Sequence, residues 1–386
     1  MEMNFKTEQF DFNKEFETSR EAMRKPNILV CGATGVGKSS LLNDIFGKNV
    51  AVVSEGVPVT RGVQKYESND LDVVLYDSEG YEIGNEKLAY FRDNIIGIID
   101  KMRFQNNGDF INEVWYCISA ANKRFTDTDI TVIKEIQSRV PVAVVFTQID
   151  SVDEDELNGL INVAESEFPD VPHFATCVTD DPDLKEAIEP YNQRSEMMEW
   201  AVEHCGEASQ SFMIASLDMD INSKKDRINK TIIPVYAGLA AAAGAIPIPF
   251  SDCAILVPLQ IKQAADIINA YNVANFSSVA TAVVQQTVIS QLGKMLAKSL
   301  GSQLLKLIPG LGSIAGGVAN SVVAASITAT MGLALSEICY SYSKKVENGE
   351  KVEFADFFTS DRFSGIIRDI GGSEAVQNII SSVTHK

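Results

Sequence analysis

Residues 27–46 read NILVCGATGVGKSSLLNDIF, and this stretch decides the fold of the first half of the chain. An apolar run of strand length is followed by G-x-x-x-x-G-K-[ST] from Gly32 to Ser39, and the run SSLLNDIF has helical spacing. Strand, glycine-rich loop and helix in that order make a phosphate cradle. Glycines let backbone N–H groups turn inward around an anion, and the helix N-terminus adds partial positive charge. Gly32, Thr34, Gly35, Val36, Gly37, Lys38, Ser39 and Ser40 are therefore the expected phosphate-binding residues. Lys38 is expected to hold the β- and γ-phosphates, and Ser39 to ligate Mg2+.

From Asn27 to about Tyr191, apolar runs alternate with amphipathic stretches. Ile28–Cys31, Val73–Tyr76, Val114–Ile118 and Val142–Phe146 read as strands. Ile130, Ile133 and Ile136 recur at helical spacing, as do Leu157, Leu160, Ile161, Ala164 and Phe168. This is the βα alternation of a mostly parallel sheet whose faces are covered by helices.

Asp77-Ser-Glu-Gly80 follows the apolar run LDVVLY, which places a carboxylate at a strand end within reach of a metal. Gly80 is positioned to offer its N–H to a γ-phosphate. The run Val142–Phe146 leads into Thr147-Gln148-Ile149-Asp150.

With those motifs in order, residues 26–190 resemble the Era-like P-loop GTPases. Thr147–Asp150 is similar to the guanine-specifying N/T-K-x-D of that family, in which the aspartate accepts two hydrogen bonds from guanine. The resemblance makes Asp150 the discriminating residue, with Gln148 where lysine is usual. Ala175-Thr176-Cys177 falls where the family's S-A-K loop contacts the guanine oxygen, so Thr176 is a further candidate. Val57-Pro-Val-Thr60-Arg61-Gly62 resembles the first switch, a loop whose threonine closes over Mg2+ and the γ-phosphate. The resemblance implies GTP or GDP as ligand and Mg2+ held by Ser39, Thr60 and Asp77. It implies Lys38, Thr60 and Gly80 as the catalytic set. Tyr81 stands where a Ras-like enzyme carries the glutamine that positions water, so a low intrinsic rate of GTP hydrolysis is expected. Gly35 stands where potassium-activated relatives carry asparagine, so potassium stimulation is not implied.

Acidic residues outnumber basic ones 52 to 33, and the surplus is uneven. From Thr231 onward ten acids balance ten bases, so the whole net charge of −19 lies in residues 1–230. Such a surface repels polyphosphate backbones, and nucleic acid is not an expected partner. A ribosome- or RNA-associated GTPase remains the alternative, as does a non-hydrolysing nucleotide-binding scaffold. The six cysteines are scattered without a C-x-x-C pair, and the start has no basic region followed by an apolar run. Reduced thiols and a cytoplasmic location follow.

Composition shifts after about residue 230. No charge occurs from Thr231 to Ser251, Ile267 to Gly293, or Leu307 to Ser336. Each stretch is long enough to span a bilayer as a helix. Pro234, Pro247, Pro249 and Pro309, with many Asn, Gln, Ser and Thr, favour instead a folded domain of apolar helices. Its marks, AIPIPFSD at 245–252 and LIPGLG at 307–312, resemble an uncharacterised hydrophobic helical domain that follows such GTPases in bacteria. Gly312 and Gly316 have the G-x-x-x-G spacing. The expected order is a leader helix at 1–25, an α/β P-loop GTPase domain at 26–200, a linker helix at 201–230, an all-α apolar domain at 231–345 and a helical tail at 346–386. A helical body on a GTPase head resembles immunity-related GTPases in plan. It implies a switch or remodelling protein, with a GTP-dependent homodimer or membrane contact through 231–345, peripheral or integral, as the expected partnerships.

Overall fold

A computed structural model describes residues 23–47, 57–60, 62–67, 71–78, 85–104, 110–244, 251–273 and 317–384. It divides into two compact units, Lys25–Asp218 and a second one containing Met219–Lys386. The leader helix expected before residue 23, and Arg61, Gly80, Tyr81, Ala245–Phe250, Gly312 and Gly316, lie outside the described residues.

The first unit is α/β. Its chain order is β1 (Asn27–Gly32), α1 (Lys38–Phe46), β2 (Val57–Thr60), β3 (Val63–Tyr66), β4 (Val74–Ser78), α2 (Asn85–Phe104), β5 (Glu113–Ser119), α3 (Asp127–Gln137), β6 (Val142–Thr147), α4 (Glu154–Glu167), β7 (His173–Ala175), α5 (Pro182–Ile188), α6 (Arg194–His204) and α7 (Gln210–Ser216). These strands form one seven-stranded sheet in the order β2-β3-β4-β1-β5-β6-β7. β4, β1, β5, β6 and β7 pair in parallel, and β3 joins β2 and β4 antiparallel. The first-switch segment, expected as a loop, is thus the edge strand β2. It pairs with β3, which the apolar pattern did not single out, because this two-stranded arm leans on β4 and needs no long apolar run of its own.

β1, β5 and β6 are buried along their whole lengths, as expected of parallel strands covered on both faces. Residues alternate between the faces. Leu29, Cys31, Tyr76, Val114, Tyr116 and Phe146 join one cluster with Ile95 and Ile99 of α2, Ile133 and Ile136 of α3, and Leu160 and Ala164 of α4. On the other face Trp115 of β5 stacks on Phe46 of α1, with ring centroids 5.9 Å apart at 7°. Each such buried side chain stabilises the unit by about 1.5–3 kcal/mol. The helices start where their sequences demand. Thr126 and Asp129 form a capping box on α3, and Asp153 and Glu156 another on α4. The α3 cap is also anchored to the sheet, since Tyr116 Oη donates to Asp129 Oδ1 at 2.7 Å.

β1 is the topological centre. The chain leaves it first toward β2, β3 and β4 on one side and then toward β5, β6 and β7 on the other. In open sheets of this kind the crevice at the carboxyl ends of the strands flanking such a reversal is where ligands bind. The end of β1 is Gly32.

The second unit is helical. It contains α8 (Ile221–Lys230), α9 (Ile232–Gly244), α10 (Ser251–Ala270), α11 (Gly317–Glu347), α12 (Phe354–Phe357), α13 (Ser360–Ile370) and α14 (Glu374–Thr384). Residues 201–230, expected as a linker helix, hold the end of α6, all of α7 and α8, and the boundary between units falls inside them. The Ser321–Glu347 part of α11 is long and apolar enough to cross a membrane, with mean hydropathy 1.6, yet 89% of its most apolar stretch is buried within the protein. Buried polar pairs set the register of these helices. Gln260 donates to Thr328 Oγ1 at 2.7 Å, Ser336 Oγ lies 3.0 Å from Tyr271 Oη, and Tyr236 donates to the Asp266 carboxylate. A buried polar group without a partner costs about 1–3 kcal/mol, so slipping one helix past another would be penalised.

Candidate functional site

The loop after β1 is shaped by its glycines. At Gly32 φ is +139°, and a Cβ there would lie 2.2 Å from the carbonyl oxygen of Cys117 on β5. Only glycine lets β1 end so close to its neighbour. Gly37, at φ 87°, is the left-handed N-cap of α1 and offers no side chain to the helix. The first turn of α1 carries no acidic residue either, so its N–H groups keep their positive end open to an anion. Thr34, Gly35, Ser39 and Ser40 are exposed around this cradle, while Val36 is buried.

Lys38 is 8% exposed and bends back over the loop, its Nζ donating to Gly32 O at 3.2 Å and Ala33 O at 3.0 Å. That places an ammonium among the inward-facing groups of the cradle. Asp77 pairs with Val30 across β4 and β1. Burial raises its carboxyl to about 6, against the opposing pull of Lys38. Its Oδ1 is buried without a hydrogen-bond partner. An orphaned carboxylate oxygen beside a phosphate cradle, with the exposed Ser39 hydroxyl in the first turn of α1, is a donor set that fits Mg2+. Thr60 ends β2; its backbone is described and its side chain lies outside the described residues.

The segment after β6 reaches back to the loop. Thr147 is 4% exposed, and its Oγ1 donates to Val36 O. Gln148 has a left-handed backbone, φ 56°, and its Nε2 lies 3.4 Å from Gly35 O. Asp150 is exposed past the carboxyl end of β6 and accepts from Cys177 Sγ at 3.3 Å. Burial first, and then Asp150, push the Cys177 thiol up to about 11, so it stays a neutral donor.

Thr176 is turned away from this group. It is 2% exposed, and both its N–H and its hydroxyl are given to Phe146 O, at 2.7 Å and 3.2 Å. Cys177, one residue on, faces Asp150 in its place. Ser119 is a second residue the motifs did not mark. It pairs in register with Thr147 and donates to Gln148 Oε1. Only the strand register reveals it, because nothing in the local pattern after Ile118 distinguishes it.

The family model described as 50S ribosome-binding GTPase matches residues 27–148. GTPase Era of Clostridioides difficile (strain 630) is 24% identical over 144 residues, covering 36% of this chain and 46% of that protein. GTPase Era of Neisseria meningitidis serogroup A is 25% identical over 137 residues, covering 35% of this chain and 41% of the relative. The chain thus spans under half the length of these curated relatives. Among solved structures, a probable GTP-binding protein engB aligns at 14% identity with a TM-score of 0.30, over 42% of this chain and 94% of that one. The septin GTPase domain from Chlamydomonas reinhardtii aligns at 15% identity with a TM-score of 0.32, over 49% and 96%. The phosphate loop and the family match both fall within the first unit, where residues 27–148 are similar to Era-like P-loop GTPases, and a C-terminal helical unit follows.

Proposed function

We propose that the protein binds GDP and GTP with Mg2+, hydrolyses GTP to GDP and phosphate, and acts as a switch or remodelling GTPase whose helical unit engages a membrane or a second copy of the chain. The observation that carries the proposal is the tie between two loops distant in sequence. Thr147 grips the phosphate loop at Val36 while Asp150, three residues on, presents a carboxylate where a base would lie. Phosphates and base are thereby read by one rigid frame. The Asp150 carboxylate offers two acceptors, which suit the paired donors of guanine and not the edge of adenine.

In the proposed reaction Lys38 and the loop amides would offset the negative charge that grows on the phosphoryl oxygens. Ser39, Thr60 and Asp77 would hold Mg2+, which would supply positive charge to offset that of the phosphates. Gly80 would add an N–H toward the γ-phosphate. Tyr81 has no amide with which to orient water, so the isolated chain is expected to turn over slowly. An activating group supplied from outside adds on the order of 10³–10⁵ in rate in related enzymes. The charge of −19 confined to residues 1–230 disfavours the RNA-associated alternative.

The test is binding and turnover with the full chain. Wild type should bind GDP far better than ADP, and Asp150→Asn should shift preference toward xanthine nucleotide. GTP turnover per molecule should rise with protein concentration or with added lipid vesicles. Preference for adenine nucleotide would remove the guanine assignment. Fast turnover unchanged by dilution or vesicles would remove the externally activated mechanism.

A further inference from the structure

We propose that Ser119 is a positioning residue of the nucleotide site, orienting the Gln148 amide so that Gln148 holds the phosphate loop at Gly35. The inference rests on the nucleotide-binding role proposed above and adds to it a residue outside every motif. Ser119 is 3% exposed at the end of β5, in register with Thr147. Its hydroxyl donates to Gln148 Oε1, which leaves the Gln148 NH2 directed at Gly35 O, 3.4 Å away. The Gln148 Cγ lies 4.0 Å from where a Cβ on Gly37 would stand, so the side chain runs along the loop. Its left-handed backbone, uncommon outside glycine, is what turns it off the strand in that direction.

The chemistry depends on glutamine. An amide both accepts and donates, whereas a lysine at this position has donors only and could not receive the Ser119 proton. Without Ser119 only the Gly35 carbonyl opposes the flipped form, which sets one carbonyl against another, and the Oε1 end of the amide loses the donor that holds it in place. The relay Ser119, Gln148, Gly35 is thus a neutral second tie beside the one from Thr147 to Val36.

Four variants test this with N-methylanthraniloyl-GDP as probe: Ser119→Ala, Gln148→Met, the two combined, and Ser119→Ala with Gln148→Lys. Each single variant should weaken binding about 5- to 30-fold, the scale of one orphaned buried hydrogen-bonding group. The Ala/Met pair should bind no worse than Gln148→Met alone, since both act through one relay. Lysine should restore binding in the Ser119→Ala background, because it donates to Gly35 O without needing orientation. Deuterium uptake of the 32–38 peptide in nucleotide-free protein should rise in the two single variants and return to wild type in the lysine rescue. Wild-type binding by Ser119→Ala, or losses that add in the Ala/Met pair, would overturn the relay. Absence of a GDP-over-ADP preference in wild type would count against the guanine assignment instead, and the uptake measurement would still decide the relay.

Discussion

Glu113 opens β5 with no exposed surface, and its environment makes it a strong test of the packing described above. Its Oε1 accepts from Trp115 Nε1 at 2.9 Å, while Oε2 is buried with no hydrogen-bond partner. Burial pushes its carboxyl well above the usual range, only partly opposed by the indole bond. The folded protein therefore keeps the proton over a range in which the unfolded chain has released it. Across that window the native state binds more protons than the unfolded one, so stability must fall as pH rises. The slope is about 1.4 kcal/mol per pH unit from this group alone. The window opens at the ordinary carboxyl value of 4.5 and closes at the raised folded value. Glu113→Gln keeps the acceptor for Trp115 and cannot ionise, so the difference between variant and wild type isolates the term, other titrations being common to both. Both tryptophans of the chain, Trp115 and Trp200, lie in the first unit, so urea unfolding followed by their fluorescence reports that unit. Within that window the variant should gain on wild type by about 1.4 kcal/mol for each pH unit, and the gain should level off once pH passes the folded value. A stability difference that stays flat from pH 5.5 to 8.5 would refute a buried, proton-holding Glu113.

Three further outcomes follow from the same contacts. Gly32→Ala forces a Cβ to within 2.2 Å of the Cys117 carbonyl oxygen, and should cost on the order of 4 kcal/mol, lowering the melting point followed by tryptophan fluorescence by about 10 °C; unchanged melting would contradict the close approach of β1 and β5. Cys177→Ala removes the donor to Asp150 and should weaken GDP binding about 2- to 10-fold, with Cys177→Ser close to wild type in the same titration. Because the most apolar stretch of α11 is largely buried within the protein, overexpressed protein should appear in the soluble fraction without detergent. Strict dependence on detergent would promote the membrane-spanning alternative.

Much of the fold and of the candidate site is legible in the sequence, for a local physical reason. A phosphate loop must lie between a strand and a helix, and the residues that do this are contiguous, so NILVC, GATGVGKS and SSLLNDIF declare strand, loop and helix at once. Buried parallel strands are apolar along their length, which is why β1, β5 and β6 stand out while β2 and β3, in an arm at the sheet edge, do not. Apolar periodicity likewise marks Ile133 and Ile136, and Leu160 and Ala164, as the faces that meet the sheet. Tertiary structure alone decides which side chains meet across it. Ser119 meets Gln148 because β5 and β6 pair in one register and no other. Cys177 rather than Thr176 faces Asp150, because alternation along the chain after β7 commits Thr176 inward to Phe146 O. The uncharged C-terminal runs are ambiguous as sequence, since an apolar helix has the same composition in lipid as in a protein core. Only the tertiary structure shows where polar groups of α11 find partners: Gln260 meets Thr328 and Tyr271 meets Ser336, both from outside the helix.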